Sequence, residues 1–268
     1  MSWIWSALMP HPPIIVPGVG GGREREAAGT LEGVDRLMKR VVDQKPDVLL
    51  LLSPHQPYAP GALFLNAAPH PKGSLALFGV PRPLLELSTP LERLPGFVKH
   101  LTGMGTKVRE GADRPDLTRD QGALVPLYFL SRAWGEELPP VVLASPIGLD
   151  IEGALKLGEA LASFEDGAKW ALLASGDLSH RLTPDAPSGY SPAGKKFDRA
   201  VVDSLSSFSP RPLFDLSPDE LEDAGECGMR SVLAMLGLCG KLEKSGTITV
   251  FSYEGPFGVG YCNALWTA

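Results

Sequence analysis

A chain of 268 residues, 44% apolar and 21% charged, has enough core-forming sequence for one large α/β domain or two small ones. Its formal net charge of −6 speaks against the basic surface that electrostatic nucleic-acid binding needs, and no apolar run reaches the ~18 to 20 residues that span a bilayer. Three cysteines, Cys227, Cys239 and Cys262, are odd in number and lie in apolar sequence, so they do not form a disulfide framework. The apolar N-terminal stretch lacks a basic start and runs into His11-Pro-Pro, a poor continuation for a signal helix. The expectation is a cytoplasmic protein.

In chain order, short apolar runs alternate with longer amphipathic stretches, the pattern of a layered α/β domain. Residues 4–9 form the first expected strand. A helix is expected over 24–44, where Leu31, Val34, Leu37, Met38, Val41 and Val42 fall on one face. A buried strand follows at 48–52, then a stretch rich in Pro and Gly, 62–87, which reads as a hairpin or irregular strands on one side of the sheet. Helices are expected over 91–101 and 121–133, a strand at 141–144, a helix over 151–163 and a strand at 170–174. The segment 182–191 reads as a loop, 193–206 and 227–239 as helices, and 248–253 and 259–264 as two late strands joined by a Gly-Pro-rich turn. Neither a composition shift nor an internal repeat marks a boundary, so residues 1–268 are taken as one domain.

Three of the five histidines follow directly on runs that read as buried strands. His11 comes after 4–9, His55 after 48–52, and His180 after 170–174. Sites in open α/β sheets gather outside the carboxyl ends of strands, so parallel strands would bring all three imidazoles to one edge. A single loop histidine is ordinarily only solvated. His11 and His55 differ in being preceded by proline (Pro10, Pro54) and closely followed by it (Pro12, Pro57), and stiff flanks suit a metal ligand that must be fixed in place. His70 and His100 lack this setting and read as surface residues. A third, anionic ligand is sought among Glu226, Cys227, Asp177 and Asp120. At a helix start a carboxylate is ordinarily a cap. Two histidines with a carboxylate suit ferrous iron, whereas a thiolate in its place favours zinc or copper. The glycines at 18–22 lack the ending of a phosphate loop and read as a flexible loop beside His11.

Met9-Pro-His-Pro-Pro13, Ser53-Pro-His55 and Gly176-Asp-Leu-Ser-His180 together resemble the class III extradiol ring-cleavage dioxygenases of the LigB superfamily. Glu226-Cys-Gly228 and Gly258-Val-Gly-Tyr261 look more like its Memo branch, including the Memo part of the AmmeMemoRadiSam system. These matches keep the family's order along nearly the whole chain. The resemblance implies a single three-layer α/β/α domain with a central, mostly parallel mixed sheet, similar in architecture to some phosphorylases and hydrolases. It implies His11 and His55 as metal ligands, Glu226 as the third with Cys227 as the alternative, and His180 as catalytic acid/base with Asp177 orienting it. Where the family often has an acidic residue followed by histidine, this chain has Asp120-Gln121; both become candidate substrate-binding residues. Gln121 can hold an oxygen but cannot take a proton at neutral pH, which weakens the case for ring cleavage more than that for metal binding.

The implied cofactor is Fe(II), with Zn or Cu as alternatives, and the implied partners are a small aromatic substrate and dioxygen, with a homodimer as the family-level expectation and neither nucleic acid nor membrane. Three functions compete: an extradiol dioxygenase for a catecholic substrate, a Memo-like metal-binding protein without ring cleavage, and a zinc-dependent hydrolase.

Overall fold

The computed structural model describes residues 2–112, 114–135, 137–242 and 246–267. Its elements run β1 (Trp3–Met9), α1 (Ala28–Val41), β2 (Val48–Leu52), β3 (Leu63–Asn66), β4 (Lys72–Leu75), β5 (Val80–Glu86), α2 (Leu94–Gly103), β6 (Val108–Gly111), α3 (Gln121–Trp134) and β7 (Val141–Ser145). They continue with α4 (Ile151–Ala162), β8 (Trp170–Ser175), α5 (Pro192–Ser207), α6 (Arg211–Phe214), α7 (Pro218–Ala224), α8 (Met229–Leu242), β9 (Ile248–Glu254) and β10 (Tyr261–Thr267). Eight strands form one mixed sheet in the order β6-β3-β7-β2-β8-β1-β10-β9. Its centre, β7-β2-β8-β1, is parallel throughout.

Every residue of β2, β7 and β8 is buried, because helices cover both faces of the sheet. On one face Leu50, Leu52, Leu172 and Ala174 pack with α2, α4, α5 and α8. On the other, Leu49, Leu51 and Leu173 pack with Val34, Leu37 and Val41 of α1 and with Leu124 and Leu127 of α3. The architecture is therefore the expected α/β one, a mostly parallel sheet between helical layers. Among the described residues no helix is long and apolar enough to cross a membrane.

Differences from the sequence reading lie at the margins. The middle segment does contain a separate hairpin, β4-β5, but its first strand, β3, joins the main sheet antiparallel to β7 and parallel to β6. The helix expected from residue 24 is a 3-10 turn over Arg23–Ala27 before α1 begins. The last helix begins at Met229, so Cys227 lies ahead of it rather than inside it.

Helices α4 and α8 approach closely because Gly158 faces the Ala234 carbonyl and Gly237 faces that of Leu155; a Cβ at either would overlap backbone. Gly158→Leu should therefore cost at least ~1 to 3 kcal/mol as overpacking. Urea denaturation should show a lowered midpoint for Gly158→Leu and none for Lys156→Ala at an exposed site; equal midpoints would contradict the packing.

Candidate functional site

Strands β1, β8 and β2 are neighbours and run in the same direction, so the segments after them meet at one sheet edge. His11 leaves β1 and His55 leaves β2, and their rings meet over the end of β8, with Nε2 to Nε2 at 3.1 Å and centroids 4.9 Å apart. Neutral imidazoles in such contact attract only when one of the facing nitrogens carries a proton or both bind a cation.

His11 is almost wholly buried, at 2% exposure, and is fixed from three sides. Its Nδ1 lies 2.9 Å from Ser175 Oγ at the end of β8, its backbone N–H donates to Asp177 Oδ1 at 2.8 Å, and Asp177 Oδ2 is 3.9 Å from its Nε2. Burial, then the neighbouring His55, lowers its pKa to about 3; Asp120 opposes this and His180 adds to it. Burial likewise raises Asp177 to about 6, against the His11 N–H and the charges of His180 and His55.

His55 stands at the exposed rim. What packs around its ring still lowers its basicity, while Asp120 and Asp177 raise it and His180 lowers it. Its turn is tied down by Asp120, the buried N-cap of α3. The Asp120 carboxylate accepts from Ser53 Oγ at 2.6 Å, Gln56 Nε2 at 2.5 Å and the Ala123 N–H at 2.9 Å, and Ser53 Oγ accepts from the His55 N–H at 3.2 Å. Gln56 Oε1 in turn accepts from Asn66 Nδ2 at the end of β3. Asp120 thus holds the His55 turn and caps a helix, and both its oxygens are engaged in doing so. Gln121, the first residue of α3, is half-buried and makes no side-chain hydrogen bond to this cluster among the described residues. Gly122 is needed beside it, since a Cβ there would stand 3.0 Å from His55 Cδ2 and collide with Ser53 Oγ.

The third position divides between two neighbours. Glu226 turns to α8: its Oε2 accepts the Met229 N–H at 2.6 Å and its Oε1 faces Arg230 at 3.7 Å. The side chain next to the histidines is instead Cys227, with Sγ 3.7 Å from His11 Nε2 and 3.6 Å from the Asp177 carbonyl oxygen. The expectation that put Glu226 first is not favoured by this arrangement, in which the helix start takes up its carboxylate. Burial, together with the charges of Asp177 and Glu226, keeps the Cys227 thiol well above its ordinary pKa. Burial raises Glu226 too, against the Met229 N–H, Arg230 and the Gly228 N–H.

His180 lies beside this cluster, close enough for its charge to act on His11, His55 and Asp177. Its Nδ1 is 2.7 Å from the Gly225 carbonyl oxygen, which can only accept, so Nδ1 carries a proton. Gly225 is the hydrogen-bond partner of the His180 ring, while the Asp177 carboxylate accepts from the His11 N–H. Of the other histidines, His70 is exposed, and His100 is half-buried with Nε2 2.8 Å from the Ala160 carbonyl oxygen. Ser175, Gly122 and Gln56 carry no signal of their own in the sequence; only their place beside strand ends and histidines marks them.

Among the described residues no three His, Cys, Asp or Glu side chains form a ready cage for a metal. The donor pair nevertheless fits one: two nitrogens bound to an ion at ~2.0 to 2.1 Å stand about 3 Å apart, as these do, with a thiol adjoining.

A family model for the catalytic LigB subunit of aromatic ring-opening dioxygenase matches residues 6–263. Protein CA_C1420 of Clostridium acetobutylicum is 32% identical over 265 residues, which cover 95% of this chain and 55% of that protein, so the chain spans about half the relative's length. The crystal structure of uncharacterized protein JW3007 from Escherichia coli K12 shares the fold at a TM-score of 0.59 and 14% identity, covering 99% of this chain and all of that one.

The buried state of His11 has a pH consequence. The unfolded chain takes up a proton near pH 6.5 that the folded ring refuses until about 3, so His11 lowers stability as the pH falls through that window. Asp177 acts oppositely: its raised pKa favours the fold at low pH and loses that contribution as the pH rises from the ordinary carboxylate value through about 6. In chelator-treated protein, His11→Gln should flatten the rise of stability between pH 3 and 6.5 by up to about 1.4 kcal/mol per pH unit. Urea titrations at a series of pH values check this; an unchanged slope would mean that His11 ionises normally in the fold.

Proposed function

The chain belongs to the LigB family, the catalytic subunits of aromatic ring-opening dioxygenases, and on that premise we propose that it holds one divalent metal, Fe(II) first, and acts on a small catecholic or related aromatic substrate with dioxygen. The observation that carries this reading is the convergence of Nε2 of His11 and His55 at 3.1 Å over the end of β8. His11, His55 and Cys227 are the residues that would hold the metal, and when bound it supplies Lewis acidity and a route for electrons between diol and dioxygen.

The protein's own share is positional. Ser175 and the Asp177 carboxylate fix the His11 ring and backbone, and Asp120, through Ser53, fixes the His55 turn. His180, donating its Nδ1–H to the Gly225 carbonyl, offers Nε2 to take a substrate hydroxyl proton and later return it. His180→Ala should lower turnover roughly 10²- to 10⁴-fold with metal content intact. Metal lost in that variant would move His180 among the ligands and end its proton role.

A second reading has one specific observation in its favour: the group facing His11 is the thiol of Cys227, not the carboxylate of Glu226. A thiol in place of a carboxylate suits a Memo-like metal-binding protein that does not cleave rings. Protein purified without air, analysed for metal and tested for oxygen uptake with a panel of catechols, separates the two. Uptake with at least one catechol, abolished together with iron in His11→Ala and His55→Ala, is the expected result. Full iron loading with no uptake on any catechol would give the second reading the field. Cys227→Ser should weaken metal retention about 10-fold or more, whereas Glu226→Gln should leave it and lower only stability.

A further inference from the structure

Asp198 of α5 is a fully buried carboxylate, at 0% exposure, and makes no ion pair among the described residues. Its two oxygens serve two different segments. Oδ1 accepts the Ser179 N–H at 2.8 Å, and Oδ2 accepts the Tyr253 hydroxyl of β9 at 2.8 Å. Burying a carboxylate with only neutral donors is costly, and its pKa is accordingly pushed up to about 7. Such a group at a plain helix–sheet contact would be better replaced by an apolar one, so its location needs a reason.

Ser179 immediately precedes His180. The same short segment is gripped on its other sides: Ser179 Oγ donates to the Ala224 carbonyl at 2.7 Å, the Ser179 carbonyl accepts from the Gly260 N–H at 2.8 Å, and the His180 N–H donates to the Gly225 carbonyl at 3.2 Å. Glycines clear the space for this clamp. A Cβ at Gly260 would run into the Asp198 carboxylate, and one at Gly194 would stand 2.5 Å from Ser179 Oγ. Remove Asp198, and the segment keeps its hold on the 224–225 turn but loses its tie to α5 and β9.

We infer that Asp198, braced by Tyr253, is a positioning residue that sets the His180 ring against Gly225 by anchoring the Ser179 backbone. The inference rests on the proton role proposed for His180 above. Its reach is the backbone before the imidazole; Asp198 does not touch substrate.

The test uses the full chain with ¹⁵N-labelled histidine and amide hydrogen exchange, so it needs no substrate. In Asp198→Ala the Ser179 amide should exchange about 10- to 100-fold faster, as expected from losing a buried hydrogen bond, and His180 should lose its single Nδ1–H tautomer. Asp198→Asn keeps an acceptor of the same shape and should restore both. A lowered melting temperature with Ser179 protection and the His180 tautomer unchanged would reduce Asp198 to a core strut and overturn the inference. Should Asp198→Ala fail to fold, Tyr253→Phe removes only the brace. A several-fold rise in Ser179 exchange there supports the inference, and no rise overturns it. A mixed tautomer in the unsubstituted protein would instead overturn the proton role of His180, while a single tautomer that Asp198→Ala leaves untouched defeats only the part assigned to Asp198.

Discussion

The site depends on how β8 ends. His11 and His55 come from strands on either side of β8, roughly 10 Å apart across two strand spacings, and their rings can meet only if the strand between them stops in small residues. It stops in Ser175-Gly176. The hydroxyl of Ser175 satisfies His11 Nδ1, and Gly176 lies so close to Gly228 that a Cβ would overlap its Cα. That glycine-to-glycine approach seats the turn ahead of α8 on the strand end and thereby delivers Cys227 to the histidine pair. Bulk at either glycine would separate the turn from the sheet before it altered any of these side chains.

The same enclosure governs charge. Burial disfavours the ionised forms of His11, Asp177, Glu226 and Cys227, and the anionic groups among them oppose one another's ionisation. Burial thus works against charge throughout the cluster, and the two imidazole nitrogens face each other inside it. A divalent cation would reverse that preference, drawing the thiol toward thiolate and stabilising the Asp177 carboxylate beside it. Exposure of His55 at the rim leaves the approach from solvent on that side, opposite the buried His11.

Much of this was legible in the sequence because the central strands are apolar on both faces. Runs such as Val48–Leu52 and Trp170–Ser175 can only be buried strands once their length is considered, and the histidines after them inherit a position. The edges of the sheet were not legible. β6, Val108–Gly111, is largely polar and exposed on pairing only with β3, so neither alternation nor an apolar run announces it. The short helices α6 and α7 sit in a polar stretch where local capping rather than periodicity decides, as in the Ser217–Glu220 capping box of α7. At the site, adjacent residues pointing in opposite directions defeat sequence reasoning altogether. Nothing in Glu226-Cys227 tells which side chain a helix start will claim.

The helix start makes that choice on energetic grounds. The first N–H groups of α8 have no partner within the helix, and the Met229 N–H finds one in Glu226, whose charge also favours the positive end of the helix and faces Arg230. Swinging Glu226 toward His11 would uncap Met229 and leave the half-buried Arg230 guanidinium without its carboxylate, at a cost on the order of 1 to 3 kcal/mol. Among the described residues Cys227 has no comparable engagement: its sulfur lies 3.7 Å from His11 Nε2 and 3.6 Å from a backbone carbonyl, weak contacts for sulfur. The Cys227 thiol therefore faces His11 without giving up a contact of that strength. Which of the two adjacent side chains faces His11 is thus decided at the helix start rather than by the histidines themselves.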